Sequence, residues 1–104
     1  MTEYRLVEEL RVEQDVEDAY TWYENEQPGL GDDFLDELYA CYQRVMRAPL
    51  GYQDLDGGIR RAMLRRFPYG VYFAVDGDAI VVLTVLHASR DPAEWQRRRP
   101  GRGS

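Results

Sequence analysis

The stretch DAYTWYENEQPGLGDDFLDELY, residues 18–39, decides the fold. Up to Glu26 it continues a pattern in which Val12, Val16, Ala19, Tyr20 and Tyr23 recur every three or four positions, the spacing of one apolar helix face. Glu13, Asp15, Glu17 and Asp18 read as the acidic opposite face, so a helix is predicted from about Glu9 to Glu26. Gln27-Pro28-Gly29 breaks it, because the residue before a proline avoids the helical region and glycine suits a C-terminal turn. A second helix is predicted from near Gly31, with the stripe Phe34, Leu35, Leu38, Cys41, Tyr42, Val45 and Met46. Asp32 and Asp33 in its first turn and Arg44 and Arg47 in its last both suit the helix dipole, and Pro49 stops it. So short a link makes the two helices antiparallel neighbours.

Outward from this hairpin the period changes. Tyr4–Val7 has the β-propensity of a short strand. Leu50–Gly58 is rich in Gly and Asp and reads as a loop. Ile59–Phe67 is extended and rich in arginine, Pro68-Tyr69-Gly70 is a turn or bulge, and Val71–Val75 is a strand. Asp76-Gly77-Asp78 is a hairpin signal, and Ala79–His87, apolar almost throughout, reads as the most buried strand. Asp91, Pro92 and Glu94 have the order of a capped helix start, so a short helix to about Arg98 is expected. The reading is α+β: an N-terminal strand, an antiparallel helical hairpin packed on a small, twisted, mostly antiparallel sheet, and a short C-terminal helix. Residues 1–98 are expected to form one domain, with 99–104 a flexible tail.

Composition narrows the function. One cysteine excludes an internal disulfide framework, and one Cys with one His cannot make a structural zinc site. Met1–Glu9 has no apolar run of signal-peptide type, and no stretch approaches the roughly 20 apolar residues of a membrane span. A cytoplasmic protein without metal or cofactor is expected. Net charge is −6, which disfavours a general nucleic-acid binder. The mean hides an asymmetry: residues 1–58 carry 15 acids and 4 arginines, residues 59–104 carry 4 acids and 9 arginines. Two faces with different partners are implied.

Three groups of residues carry a family resemblance. The first is Trp22-Tyr23-Glu24 with Pro28-Gly29-Leu30-Gly31 and Phe34-Leu35. The second is Arg60-Arg61 followed by Phe67-Pro68-Tyr69 and Tyr72-Phe73. The third is Val85-Leu86-His87 followed by Arg90-Asp91-Pro92 and Trp95. In this order, over about Tyr4 to Arg98, the chain resembles the RelE/ParE superfamily, toxins of type II toxin–antitoxin systems. The resemblance implies a helical hairpin on a twisted antiparallel sheet, and growth inhibition held in check by a cognate antitoxin in a hetero-oligomer. The antitoxin's disordered segment would fold on the toxin as helix and strand.

Two target classes divide the superfamily. RelE-like members cut mRNA on the ribosome; ParE-like members bind and poison DNA gyrase without hydrolysis. RNA cleavage needs a base for the 2′-hydroxyl, cations for the charged phosphorane and an acid for the leaving oxygen. RelE-like toxins place an arginine directly after the tyrosine that opens the middle strand; here Tyr69 is followed by Gly70. They also often end in a reactive tyrosine, and here none follows Tyr72. If the chain were a nuclease, His87, Arg65 and Arg90 would be its catalytic candidates. The ParE-like reading needs only a docking surface. Arg60, Arg61, Arg65, Arg66, Tyr69, Arg90 and Trp95 are the candidates for contacts to target or antitoxin, since arginine and aromatic side chains anchor interfaces. A non-toxic, antitoxin-binding relic is the third possibility.

Each residue also has a plainer reading. His87 suits a strand-end histidine holding a loop, and Arg90 a local pair with Asp91, Glu94 or a helix carboxylate. The Arg60–Arg66 run suits a solvated strand, or one that answers the acidic hairpin. Trp22, Tyr23, Phe34 and Tyr42 read as core or half-core, Phe67, Tyr69 and Tyr72 as core, Trp95 as cover for a sheet edge, and Cys41 as an inert small hydrophobe.

Overall fold

A computed structural model describes residues 3–90. In chain order it contains β1 (Arg5–Glu8), α1 (Leu10–Glu26), α2 (Leu30–Arg47), a 3₁₀ turn (Pro49–Gly51), β2 (Asp54–Asp56), β3 (Ile59–Met63), β4 (Tyr69–Asp76) and β5 (Ala79–His87). The sheet order is β1-β5-β4-β3-β2. Strands β2 to β5 form an antiparallel meander, and β1 lies parallel to β5, with Arg5 opposite Ala79 and Glu8 opposite Val82. The α+β reading holds.

Alternation sorts the strands into two faces. Val71, Phe73, Ala62, Ile80, Val82 and Val85 meet Val12, Ala19, Phe34, Leu38, Cys41 and Val45 of the helices in the main core. The intervening residues Ile59, Tyr72, Leu83 and Leu86 form a smaller buried cluster on the other face. Between Tyr72 and Phe73 the register shifts from Thr84 to Val82, so Leu83 is a bulge residue.

The helical hairpin turns on two glycines. Gly29 takes φ 92°, a left-handed conformation that few side chains adopt. The Glu24 carboxylate accepts the Gly29 N–H at 2.9 Å and the Gly31 N–H at 3.0 Å, satisfying donors that a helix start leaves open. A Cβ on Gly31 would stand 2.9 Å from Glu24 Oε1 and from the Tyr20 ring. Below the turn, Tyr23 and Phe34 stack at 5.6 Å, and Phe67 meets them edge-on at 4.8 and 5.5 Å. These rings pin both helices to the β3–β4 loop.

Several expectations shift. Leu50–Gly58 is not all loop. Its Asp54–Asp56 segment pairs with β3, although a single leucine between two aspartates shows no strand pattern of its own. Strand β3 stops at Met63, where Arg44 Nη2 donates to the Met63 carbonyl at 3.2 Å and the Leu64 N–H bonds the Tyr69 carbonyl at 2.9 Å. Tyr69 and Gly70, expected in a turn, open β4, since the Met63–Gly70 pair extends the ladder. Trp22, expected in the core or half-core, is 57% exposed. Ala19 and Tyr23 already complete the buried stripe, and Trp22 lies edge-on to Tyr23 at 5.0 Å on its outer side. The expected C-terminal helix and tail lie outside the described residues.

Gly31→Ala should lower the stability of the domain by about 1–3 kcal/mol, because the added methyl overlaps Glu24 and Tyr20. Urea unfolding measures this, and wild-type stability in the variant would contradict the close approach. Cys41 is fully buried, and burial pushes its thiol above the ordinary value, against thiolate formation. A thiol-specific dye at neutral pH should therefore label Cys41 only after the domain is unfolded; rapid labelling of the native protein would show the core is open.

Candidate functional site

Strand β1 ends opposite Val82, but β5 continues to His87. The chain leaves β1 at Glu9, whose N–H bonds the Val82 carbonyl at 3.0 Å, and enters α1 at once. Helix α1 then passes beside the part of β5 that β1 does not reach. Between them lies a groove of about 570 Å³. Asp15, Asp18 and Trp22 of α1 form one wall, Val85 to His87 the floor, and Tyr69, Ser89 and Arg90 one end.

Asp15 joins the two elements. Its Oδ2 accepts from Thr84 Oγ1 at 2.8 Å and from the Val85 N–H at 3.1 Å. Asp15 was expected on the solvent-facing acidic side of α1, and the structure corrects this. The signal was present: Asp15 stands three residues after Val12 and four before Ala19, on the buried stripe. Thr84 is fully buried, so the carboxylate reaches a hydroxyl that water does not.

Of the sequence candidates, the groove gathers Tyr69, His87 and Arg90. His87 Nδ1 accepts the Ser89 N–H at 3.0 Å and lies 2.8 Å from Ser89 Oγ. In the neutral ring this places the proton on Nε2, so the basic lone pair is tied to the loop rather than offered to a substrate. The Arg90 N–H bonds the His87 carbonyl at 2.9 Å and closes the same turn. Tyr69 meets the His87 ring edge-on at 5.2 Å. Burial holds its hydroxyl above the ordinary tyrosine value, with Tyr23 acting in the same direction, so Tyr69 is a neutral hydrogen-bonding group at neutral pH.

The other arginines do not converge there. Arg60 Nη1 donates to the Tyr52 carbonyl and holds the loop before β2. Arg61, opposite Tyr72, faces away from the helices. Arg66 pairs with Asp33 of α2 at 3.7 Å and lies over the Phe67 ring at 5.4 Å; Arg65 is exposed in the same loop. A Cβ on Gly70 would stand 3.0 Å from Met63 Sδ and 3.3 Å from Arg61 Cγ. A side chain at position 70 would thus press on its cross-strand neighbours, which would have to give by a few tenths of an ångström. Trp95 lies outside the described residues. Among the described residues there is no group of three or more His, Cys, Asp or Glu that could hold a metal ion, and no helix is long and apolar enough to cross a membrane.

Comparison with known proteins agrees with this architecture. The family model for the ParE toxin of the type II toxin–antitoxin system parDE matches residues 9–92, and the chain belongs to that family. It is 30% identical over 96 residues to Toxin ParE2 of Mycobacterium tuberculosis, strains CDC 1551 and H37Rv, with 88% of each chain covered. Its fold is similar to a chain of the chromosomal ParDE toxin–antitoxin system from P. aeruginosa, with a TM-score of 0.73, 17% identity, and 82% of this chain and 96% of that chain covered. It is a toxin of a type II toxin–antitoxin system, and the family pairs such a toxin with an antitoxin.

Asp15→Ala removes the acceptor shared by Thr84 and Val85 and should cost about 1–3 kcal/mol of stability. A thermal melt reads the loss; an unchanged melting point would mean that the α1–β5 junction does not depend on this carboxylate.

Proposed function

We propose that this toxin is a non-catalytic inhibitor of DNA gyrase that acts in the cytoplasm and is silenced by a cognate antitoxin bound in a hetero-oligomer. One observation carries the reading: position 70 holds a glycine, closely approached by the Met63 and Arg61 side chains. Nucleases of the superfamily place a phosphate-stabilising arginine there. The geometry of the remaining candidates supports the same conclusion. Phosphoryl chemistry requires cations and an acid–base pair aimed at one point. Here Arg60, Arg61 and Arg66 point to a loop, to the far face and to α2, and His87 holds Ser89. A docking protein needs none of these to converge. It needs a rigid scaffold with exposed anchors, and Trp22, Tyr39 and Arg65 supply such side chains.

One observation favours a second reading. Tyr69, His87 and Arg90 line one groove, so ribosome-dependent mRNA cleavage through His87 is the rival hypothesis.

DNA supercoiling by purified gyrase should fall as the toxin is added and recover when the product of the neighbouring antitoxin gene is supplied. Unchanged supercoiling at high excess of toxin, together with translation-dependent mRNA cutting that His87→Ala abolishes, would replace this reading with the nuclease.

A further inference from the structure

The smaller apolar cluster lies on the sheet face that the helices leave alone. Ile59, Tyr72, Leu83 and Leu86 pack there with Leu55, Ala74 and Val81, and every one of these residues belongs to strands β2 to β5. Both helices pack on the opposite face, in the main core. A sheet face with no second layer is wet. Yet Leu83 is fully buried, and Ile59, Tyr72 and Leu86 are at most 6% exposed. Neighbouring strands flank a side chain that stands off the sheet, but they do not cap it. Arg61 and Met63 share this face and are themselves exposed. Burial this deep within one chain requires a layer of the same chain over the cluster, and among the described residues neither helix supplies it.

Two stretches of chain could provide it. Met1 and Thr2 precede β1, which lies three strand positions from β3, roughly 14 Å away. Two extended residues reach only about 7 Å, too short to cover Ile59. Residues 91–104 are better placed. They follow Arg90, whose N–H bonds the His87 carbonyl one residue beyond Leu86. From β5 across β4 to β3 is roughly 10 Å. Even coiled as a helix, the most compact form, Asp91–Arg98 would span about 12 Å. This stretch carries one large apolar side chain, Trp95, followed by Arg97, Arg98 and Arg99. At the far end of the cluster Asp56, opposite Ile59, and Asp76, two residues beyond Ala74, are exposed. An aromatic ring followed by arginines thus matches an apolar patch followed by acids.

We propose that the C-terminal segment of this chain, Asp91–Arg98, is the second layer over the helix-free face of the sheet, with the Trp95 ring seated on Tyr72, Leu83 and Leu86. Trp95 then serves as an intramolecular anchor rather than as a contact to target or antitoxin. The face it covers is closed to both. The inference holds whichever target the toxin acts on.

The chain has two tryptophans, so Trp22→Phe in the full-length protein leaves Trp95 as its sole indole fluorophore. Trp22 is exposed on α1, and its replacement leaves the core in place. Trp95 should emit at shorter wavelength than in the urea-unfolded chain and be quenched several-fold less by acrylamide, at every protein concentration. Emission and quenching equal to those of the unfolded chain would overturn the inference. Protection that appears only as protein concentration rises would overturn it in favour of a second copy. Protection that appears only when the product of the neighbouring antitoxin gene is added would overturn it in favour of that partner. Nuclear Overhauser contacts in the unmutated full-length protein locate the ring without any variant. The Trp95 indole protons should contact the methyl groups of Leu83 and Leu86, and an indole with contacts elsewhere, or with none, overturns the proposal.

Discussion

Strand β5 must be covered on every side, and the rest of the molecule is arranged around that constraint. Its residues from Ala79 to Leu86 are apolar except Thr84, and most are buried. Its backbone needs partners on two edges and its side chains on two faces, or polar groups would be stranded away from water. Strand β4 takes one edge along its whole length, and the helical hairpin takes one face. The other edge is divided. Strand β1 serves it as far as Val82, and Asp15 continues where β1 stops by accepting the Val85 N–H with a side chain. One carboxylate on α1 thus completes a sheet and fixes the helix that carries it.

The same division creates the groove. A longer β1 would have filled the edge of β5, and α1 could not then have passed beside it. Because the chain turns into α1 at Glu9, the helix brings an acidic and aromatic wall against a backbone edge. Several of the arginines, by contrast, make contacts within the fold. Arg60 holds a loop, Arg44 holds the end of β3, and Arg66 answers Asp33. Two of the arginines that looked like a phosphate clamp in the sequence, Arg60 and Arg66, therefore have partners within the domain.

Both helices and the strands β4 and β5 were legible because each writes its own period into the chain, every three or four residues for α1 and α2 and a continuous apolar run for β5. Strand β2 was not, because its residues Asp54–Asp56 become a strand only through pairing with β3. Trp22 was misplaced for a related reason. Helical spacing says which residues share a face, but not how wide a stripe the neighbouring sheet will bury.

The sequence alone determined the element order apart from β2, the antiparallel hairpin, the sheet class and the family, all of which rest on local spacing and on motifs that keep their order along the chain. Only the tertiary structure decided which charged groups meet. It took Asp15 from the expected outer face to Val85, distant in the chain, and sent the arginines of one run to a loop, the far face and α2. Partners of polar groups are set by where crossing elements end, and one residue more or less in β1 would change them without altering any local pattern.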